Sequence, residues 1–455
     1  MTVPAPRLHR VLFALLLLGN AVAYAGVDPV TRTVTAVAVL VLALATPRVP
    51  ELPATARAAI VILGGLTVVQ LVPLPAVVRR IVEPGLASLT SHGWFPLSLA
   101  PSATAGAAAT IAIAAVLAIT AARMAGTRTG IPFILTTLAA TGALLALLGL
   151  ATEQGLPTKV LLLRNNTGGG SPYGPFVNHN HFALAIELTL PAALALMAAA
   201  GRRLRLAGEG RRQAAIVFLG ASSTAVLELA ALVRCGSRGG VLFLALAGLL
   251  TMELWRRRHR GLRWPWILVV SVLMVGSAIL AFNRIGPLHD RFEELFILQG
   301  VEGNTRLDLW AGTFRLWERS PAVGCGLGAY AHAIGLDKPP TGALQLEQAH
   351  NDWLELLADG GVVGCGALLL LLGGLAAALR SGRVRSLRHE LRYPAAAAGL
   401  AVTACCFHEL IGFGLQTPLN GLLAAVWVGL VWGLDRRWHN RRTRLDDGGE
   451  MPNAH

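Results

Sequence analysis

The sequence predicts an all-α protein that crosses a membrane about twelve times. Both termini face the inner side, and a long outer loop carries short amphipathic helices. Three observations predict this. Of 455 residues, 54% are hydrophobic and 14% charged, with a mean hydropathy of +0.58; a soluble chain of this size could not hide that much apolar surface. Apolar runs of membrane-crossing length recur from end to end and are continuous, unlike the alternating strands of a β-barrel. The strongly basic clusters fall on alternate connections between those runs.

The runs lie at about 8–26, 31–47, 57–75, 103–122, 130–151, 182–200, 213–233, 239–255, 264–282, 361–380, 394–412 and 419–434. The first follows Arg7 and Arg10 and has the make-up of a signal peptide, but the many spans behind it favour an uncleaved first span. The third runs into Pro73 and Pro75, and the eleventh contains His408 and Glu409. With the N-terminus inside, the arginine-rich stretches 202–212, 256–263, 380–392 and 436–444 all fall inside. The net charge of +14 is then mostly positive-inside bias and contact with anionic membrane lipid, and no nucleic-acid partner is expected. Cys235, Cys325, Cys365, Cys405 and Cys406 form no CxxC or zinc spacing and read as small apolar residues. The chain divides into N-terminal spans (1–152), a second membrane region (153–435) that includes the loop 283–360, and an inside tail (436–455) that is polar and disordered in character from Asp446 on.

The outer side carries the polar sequence. A loop as long as 283–360 is uncommon without a function or structure of its own. Within NTRLDLWAGTFRLWERS (304–320), Leu307, Trp310, Phe314 and Trp317 recur at helical spacing, and Thr305 with Asp308 resembles a capping box. This helix suits the outer leaflet or the bundle. Pro321 and the glycines of GCGLGAY end it. HNDWLELLADGG then forms a second short helix that starts near His350 or Asn351, and Gly360-Gly361 either ends it or joins it to the next span.

Three outward basic residues are candidates for chemistry. Arg238, in CGSRGG (235–240), opens the eighth span; it is either an interface arginine with its charge in water or, with Arg234 one turn earlier, part of an anion site at a helix start. Gly239 and Gly240 beside it allow a backbone or a ligand to come close. Arg306 falls in a first helical turn, where a cation opposes the helix dipole; it either pairs with Asp308, Glu302 or another loop acid or has a function. His350 is either a satisfied surface histidine or a general base.

Other residues carry weaker signals. Asn178, His179, Asn180 and His181 suggest metal ligands at first sight, but histidines two apart do not share a helix face and no carboxylate completes a set. A hydrogen-bonding loop fits better. GCGLGAY lacks the lysine and the strand–helix context of a phosphate loop. Glu187, Glu228 and the pair His408-Glu409 are ionisable residues in or near spans. Glu187 and Glu228 read best as polar glue between helices, and His408 stays a site candidate. No Asp-x-Asp offers a cradle for a metal on a diphosphate, so neither a metal nor a cofactor is expected.

Taken in order, GPFVNHNHFA, CGSRGG, NTRLDLW with ERSPAVGCGLGAY, AHNDWLELLADGGVVG and FHELIGFGLQTPLNGLL (407–423) resemble the bacterial O-antigen ligase and polymerase superfamily, over roughly residues 160–430. The resemblance implies a GT-C-like fold in the inner membrane with its active site at the periplasmic face. It implies a glycan donor on undecaprenyl diphosphate and a lipid A core or other glycan acceptor. It also implies a metal-free reaction in which Arg238 and Arg306, with Arg234 nearby, meet the diphosphate and His350 activates the acceptor hydroxyl. Asn178, Asn180, Asn351 and His408 are further candidate contacts, and His179 stands where many relatives carry arginine. Ligase, polymerase and protein O-oligosaccharyltransferase differ in acceptor, which the motifs do not separate. A lipid-linked sugar transporter also suits twelve spans, but the halves show no internal symmetry and the polar sequence gathers on one face.

Overall fold

The computed structural model describes residues 5–45, 51–86, 93–152, 159–161, 163–165, 171–206, 210–256, 306–337, 347–380 and 389–446. The expected span at 264–282 and the first part of the long loop, with Glu302 and Thr305, lie outside these residues. The described chain is built from helices, as apolar segments in lipid must be if each backbone group is to find a partner within its own segment. In order they are α1 (Ala5–Val22), α2 (Pro29–Leu44), α3 (Ala54–Leu71), α4 (Ala76–Val82), α5 (Pro101–Ala125), α6 (Gly130–Thr152), α7 (His179–Arg205), α8 (Arg211–Arg234), α9 (Arg238–Arg256), α10 (Arg306–Arg319), α11 (Tyr330–Ala333), α12 (Asp352–Arg380), α13 (His389–His408) and α14 (Pro418–Asp446). Seven of the described helices, α3, α5, α6, α7, α8, α12 and the Pro418–Arg437 part of α14, are long and apolar enough to cross a membrane, which makes this an all-α polytopic membrane protein. Shorter apolar helices, Leu8–Val22 and Pro29–Leu44, occupy the first two expected spans. The last helix runs on to Asp446, well past the expected span end near 434.

At the centre is α7, whose residues from Phe182 to Ala193 are all buried. It packs against α6, α8, α9, α13 and α14, and α14 in turn lies along α5. Small residues allow that last approach, because a Cβ at Gly429 or Gly433 would fall 2.1 Å from the Ala118 carbonyl oxygen or 2.5 Å from the Ala125 Cβ. The buried Trp427 indole donates to the Leu188 carbonyl at 2.7 Å and ties α14 to α7. Deep in the bundle, the buried Glu228 carboxyl lies beside Thr189 in the space left by Gly142.

A second, smaller apolar core lies in a cap above the spans. Leu86 and Ala100, from the segment around α4, join Leu309 and Leu316 of α10, then Cys325, Ala329, Tyr330, Ile334, Ala349 and Ala358. A short antiparallel pairing, Leu74–Pro75 with Trp94–Phe95, closes its edge. Here α10 departs from expectation. The face it buries is Leu309, Gly312, Thr313 and Leu316, whereas Leu307 and Phe314 of the expected apolar stripe are exposed. Both tryptophans of that stripe donate their indole N–H to main-chain carbonyls, Trp310 to Ala349 at 3.0 Å and Trp317, at the surface, to Pro321 at 3.1 Å.

The Gly360-Gly361 pair both ends the short polar helix and joins it to the span, since α12 runs through a kink at Gly361 with φ 61° and ψ −164°. The kink frees backbone groups, and the segment after α10 takes them up. Val362 and Val363 donate to the Pro321 and Ala322 carbonyls; Ala358 and Asp359 carbonyls accept from Cys325 and Gly326. The Asp359 carboxylate also accepts from the Gly328 N–H at 2.7 Å. The glycines of GCGLGAY therefore wrap an internal carboxylate and a bent helix. Only glycine tolerates the Gly361 backbone, and a Cβ there would sit 2.3 Å from the Ala322 oxygen. Gly361→Ala is expected to cost at least about 1–3 kcal/mol through backbone strain alone, read as a lowered melting temperature of the purified protein in detergent. A wild-type melting curve would show that the kink is not needed for stability.

Candidate active site

The helix starts of α7, α9, α10, α12 and α14 meet at one face, around the loop 409–417 between α13 and α14. Glycines and polar residues interrupt an apolar stretch here, and nearly every residue of the loop holds a neighbour. The Ile411 carbonyl accepts from Arg306 Nη1 at 3.0 Å. The Glu409 and Gly412 carbonyls both accept from the Asp352 N–H. Gln416 Nε2 donates to Asp352 Oδ1 at 3.0 Å and Glu355 Oε1 at 2.8 Å, and Thr417 Oγ1 bonds His181 Nδ1 at 2.9 Å. The Phe413 ring stands edge-on between two imidazoles, with centroids 4.7 Å from His350 and 4.5 Å from His181.

His350 is presented on a strained backbone with φ 52°, an uncommon value for a residue with a Cβ. Both neighbours clamp it. The Ala349 N–H donates to Glu355 Oε2 at 2.7 Å, and its carbonyl takes the Trp310 indole. Asn351 Oδ1 caps α12 by accepting from the Leu354 N–H at 3.0 Å. Strain of this kind persists only where the surroundings over-determine it. Among the described residues neither ring nitrogen of His350 has a hydrogen-bond partner. Burial, and then the Arg306 guanidinium, push its imidazole down to about 4, so the ring is neutral at neutral pH.

Arg306 lies at the first turn of α10, as its sequence position suggests. Its one described partner is the Ile411 carbonyl, and among the described residues its buried Nε has no partner. Burial lowers its pKa, because the cation has lost water, and no described carboxylate offsets that loss. Arg238 opens α9, and its charge bears on His179; the charges of His179, His350 and His408 all bear on His181. Arg306 thus bears on His350, His350 on His181, and Arg238 on His179. Gly240 beside Arg238 serves helix packing, since a Cβ there would fall 2.6 Å from the Ala183 Cβ on α7. Arg234 does not share that helix start. It ends α8, exposed, with the turn Cys235–Ser237 between it and Arg238.

Three other candidates have structural employment. Asn178 caps α7 by accepting from the Asn180 N–H at 2.8 Å. Asn180 Oδ1 accepts from Ser237 Oγ at 2.7 Å, which joins the NHNHFA and CGSRGG motifs. His408 is buried at the end of α13 with its Nδ1 2.8 Å from Glu187 Oε1, so Glu187 binds α7 to α13. If Asn351 is only a cap, Asn351→Asp should keep activity, while Asn351→Ala should cost about 1 kcal/mol of stability. Loss of transfer in a stably folded Asn351→Asp protein would make that side chain a substrate contact. Among the described residues no three histidine, cysteine or carboxylate side chains are placed to share a metal ion. The five cysteines are free thiols.

Sequence reasoning passed over Phe413, Thr417, Asn420, Gln416 and the hydrogen bonding of His181. The available signal was a run of polar residues, Gln416, Thr417 and Asn420, within otherwise apolar sequence close to His408-Glu409. The fold is that of a multi-pass membrane protein in which arginines and histidines gather at one end of its helices. Residues 223–384 match the O-antigen ligase family model, a segment that holds Arg238, Arg306 and His350. The chain is thus similar to the O-antigen ligase and polymerase superfamily, as its ordered motifs suggest. No curated protein matches it.

Proposed function

We propose that this protein is a glycosyltransferase of the inner membrane that moves a glycan from undecaprenyl diphosphate to a sugar hydroxyl at the periplasmic face, without metal. The O-antigen ligase reaction, with lipid A core as acceptor, is the reading we favour. The observation that carries it is the half-buried Arg306, whose buried Nε has no partner among the described residues, acting on the strained imidazole of His350, whose nitrogens have none there either. A buried cation beside a neutral base is what transfer from a diphosphate needs. Planar guanidinium groups match phosphate oxygens, and each such contact in a desolvated site contributes roughly 2–4 kcal/mol in the transition state.

In the proposed step the acceptor oxygen attacks the anomeric carbon of the donor sugar. Its proton passes to His350, and the bond from that carbon to the diphosphate oxygen breaks with its electron pair on the leaving group. Arg306 and Arg238 meet the charge that develops. A single displacement inverts the anomeric centre. A diphosphate leaves without a protonating acid, so no carboxyl pair of the glycosidase kind is required. The diphosphate itself helps, because its negative charge beside Arg306 offsets the field that depresses the His350 pKa and makes the imidazole a stronger base when donor is bound. Residues 153–435 would carry this chemistry, with 1–152 as supporting spans.

The test is the envelope glycan profile of a deletion strain complemented with wild type or with His350→Ala. Long chains that stay on the lipid carrier and never reach lipid A core in the variant would mark a ligase that uses His350. Collapse of chain length, with single repeat units still attached, would mark a polymerase with the same base. An unchanged profile would remove His350 from the mechanism.

A further inference from the structure

We infer that His181 is a second substrate-contacting residue of this site, holding through Nε2 a hydroxyl of the acceptor sugar next to the one that reacts. This rests on the glycosyl-transfer reading above. It assigns a role to a residue outside the segment that matches the O-antigen ligase family model.

The ring of His181 is fixed on three sides. Its Nδ1 bonds Thr417 Oγ1 at 2.9 Å. Its main-chain oxygen accepts from Asn420 Nδ2 at 3.0 Å, and the same amide holds the Gly414 carbonyl. The flank of the ring lies on Phe413 at an interplanar angle of 88°. The remaining nitrogen, Nε2, is buried and has no partner among the described residues; Asn420 Oδ1 is in the same condition. A buried polar atom without a partner costs about 1–3 kcal/mol, so an imidazole that served packing alone would not be held with one nitrogen satisfied and the other bare. Thr417 acts as a positioning residue, because the bond it makes decides which way Nε2 points.

The same Phe413 ring also carries His350 at 78°, so the two imidazoles flank one phenyl group, and the charge of one bears on the other. A sugar whose reacting hydroxyl meets His350 brings its neighbouring hydroxyls over that ring. A hydroxyl both donates and accepts, and so satisfies Nε2 whichever tautomer Thr417 imposes. Sites built to bind a hydroxyl discriminate strongly against substrates that lack it. His181 is therefore a residue of acceptor choice more than of rate.

The test uses the full-length protein in detergent, undecaprenyl-diphosphate-linked polysaccharide as donor, and lipid A core from a strain lacking this protein as acceptor. His181→Asn keeps a group on Thr417 and removes Nε2. It is expected to raise the acceptor KM about 10–100-fold, consistent with loss of one buried hydrogen bond, with the donor KM unchanged and kcat altered far less. His181→Gln, whose amide reaches the place of Nε2, is expected to recover part of the loss, and Thr417→Val to raise the acceptor KM while Thr417→Ser restores it. If His181→Asn does not fold, the Gln and Thr417 variants carry the test alone. A wild-type acceptor KM in a folded His181 variant, or a loss confined to kcat, overturns the inference. His350→Ala run beside it separates the two ideas. An inactive His350→Ala with a normal His181 variant removes only His181; no transfer by the wild-type protein removes the reading on which both rest.

Discussion

His350→Ala is expected to lower glycan transfer by about 10²–10⁴-fold, the usual worth of a positioned general base, with little change in the melting temperature of the purified protein. The pH dependence should carry the same residue. In the free protein its imidazole is depressed to about 4 by burial and by Arg306. A base must be unprotonated to work, so kcat/KM is expected to rise as pH increases through about 4 and to stay level toward neutrality. Bound diphosphate offsets Arg306, so the limb seen in kcat should lie at a higher pH than the limb seen in kcat/KM. Coincident limbs would show that donor charge does not reach His350. Acid-limb behaviour unaltered in His350→Ala would assign the limb to another group.

The second large effect is expected at Arg306. Arg306→Ala removes the cation and should cost roughly 10²–10³-fold in transfer, in line with the loss of one preorganised donor to developing charge. Arg306→Lys separates charge from geometry. The guanidinium holds the Ile411 carbonyl with Nη1 and keeps Nε for a second partner, whereas an ammonium is a point charge without that fork. The lysine variant should retain the fold and recover only a small part of the lost rate. It should also bring the His350 limb back near its wild-type position, because a positive charge is restored beside the ring. Arg306→Ala should move that limb to higher pH. Wild-type transfer by Arg306→Ala would take the diphosphate away from α10 altogether.

Much of the membrane architecture was legible from composition and period alone. Apolar runs of sufficient length must be helical in lipid, and each described helix from α5 to α9 lies on the run that predicts it. The short helix after His350 and the placing of Arg306 in a first turn were readable for the same reason, since each depends on neighbours in sequence, whereas the glycine pair left open whether that helix ends or joins the span. The face of α10 was not readable. Period selects Leu307, Trp310, Phe314 and Trp317, but the cap supplied a core that Leu309, Thr313 and Leu316 fit, so Leu307 and Phe314 were left exposed and the two indoles bond main-chain carbonyls at the edge.

For the site the division is sharper. Residue types and order alone singled out Arg238, Arg306 and His350, because a cation or an imidazole at the outer end of an apolar helix is costly without a use. Sequence also offered Arg234 beside Arg238, and Asn178 and Asn351 as weaker candidates, and only the folded chain shows them as a helix end and two caps. The strain at His350, the bond from Arg306 to Ile411 and the seat of His181 between Thr417 and Phe413 join residues far apart in the chain. Local propensity and hydropathy act over a few turns of helix, so they determined the spans and the candidate groups. Which groups converge depends on the packing of α7, α9, α10 and α12 around one loop, and that packing is set by side chains that meet only in the tertiary structure.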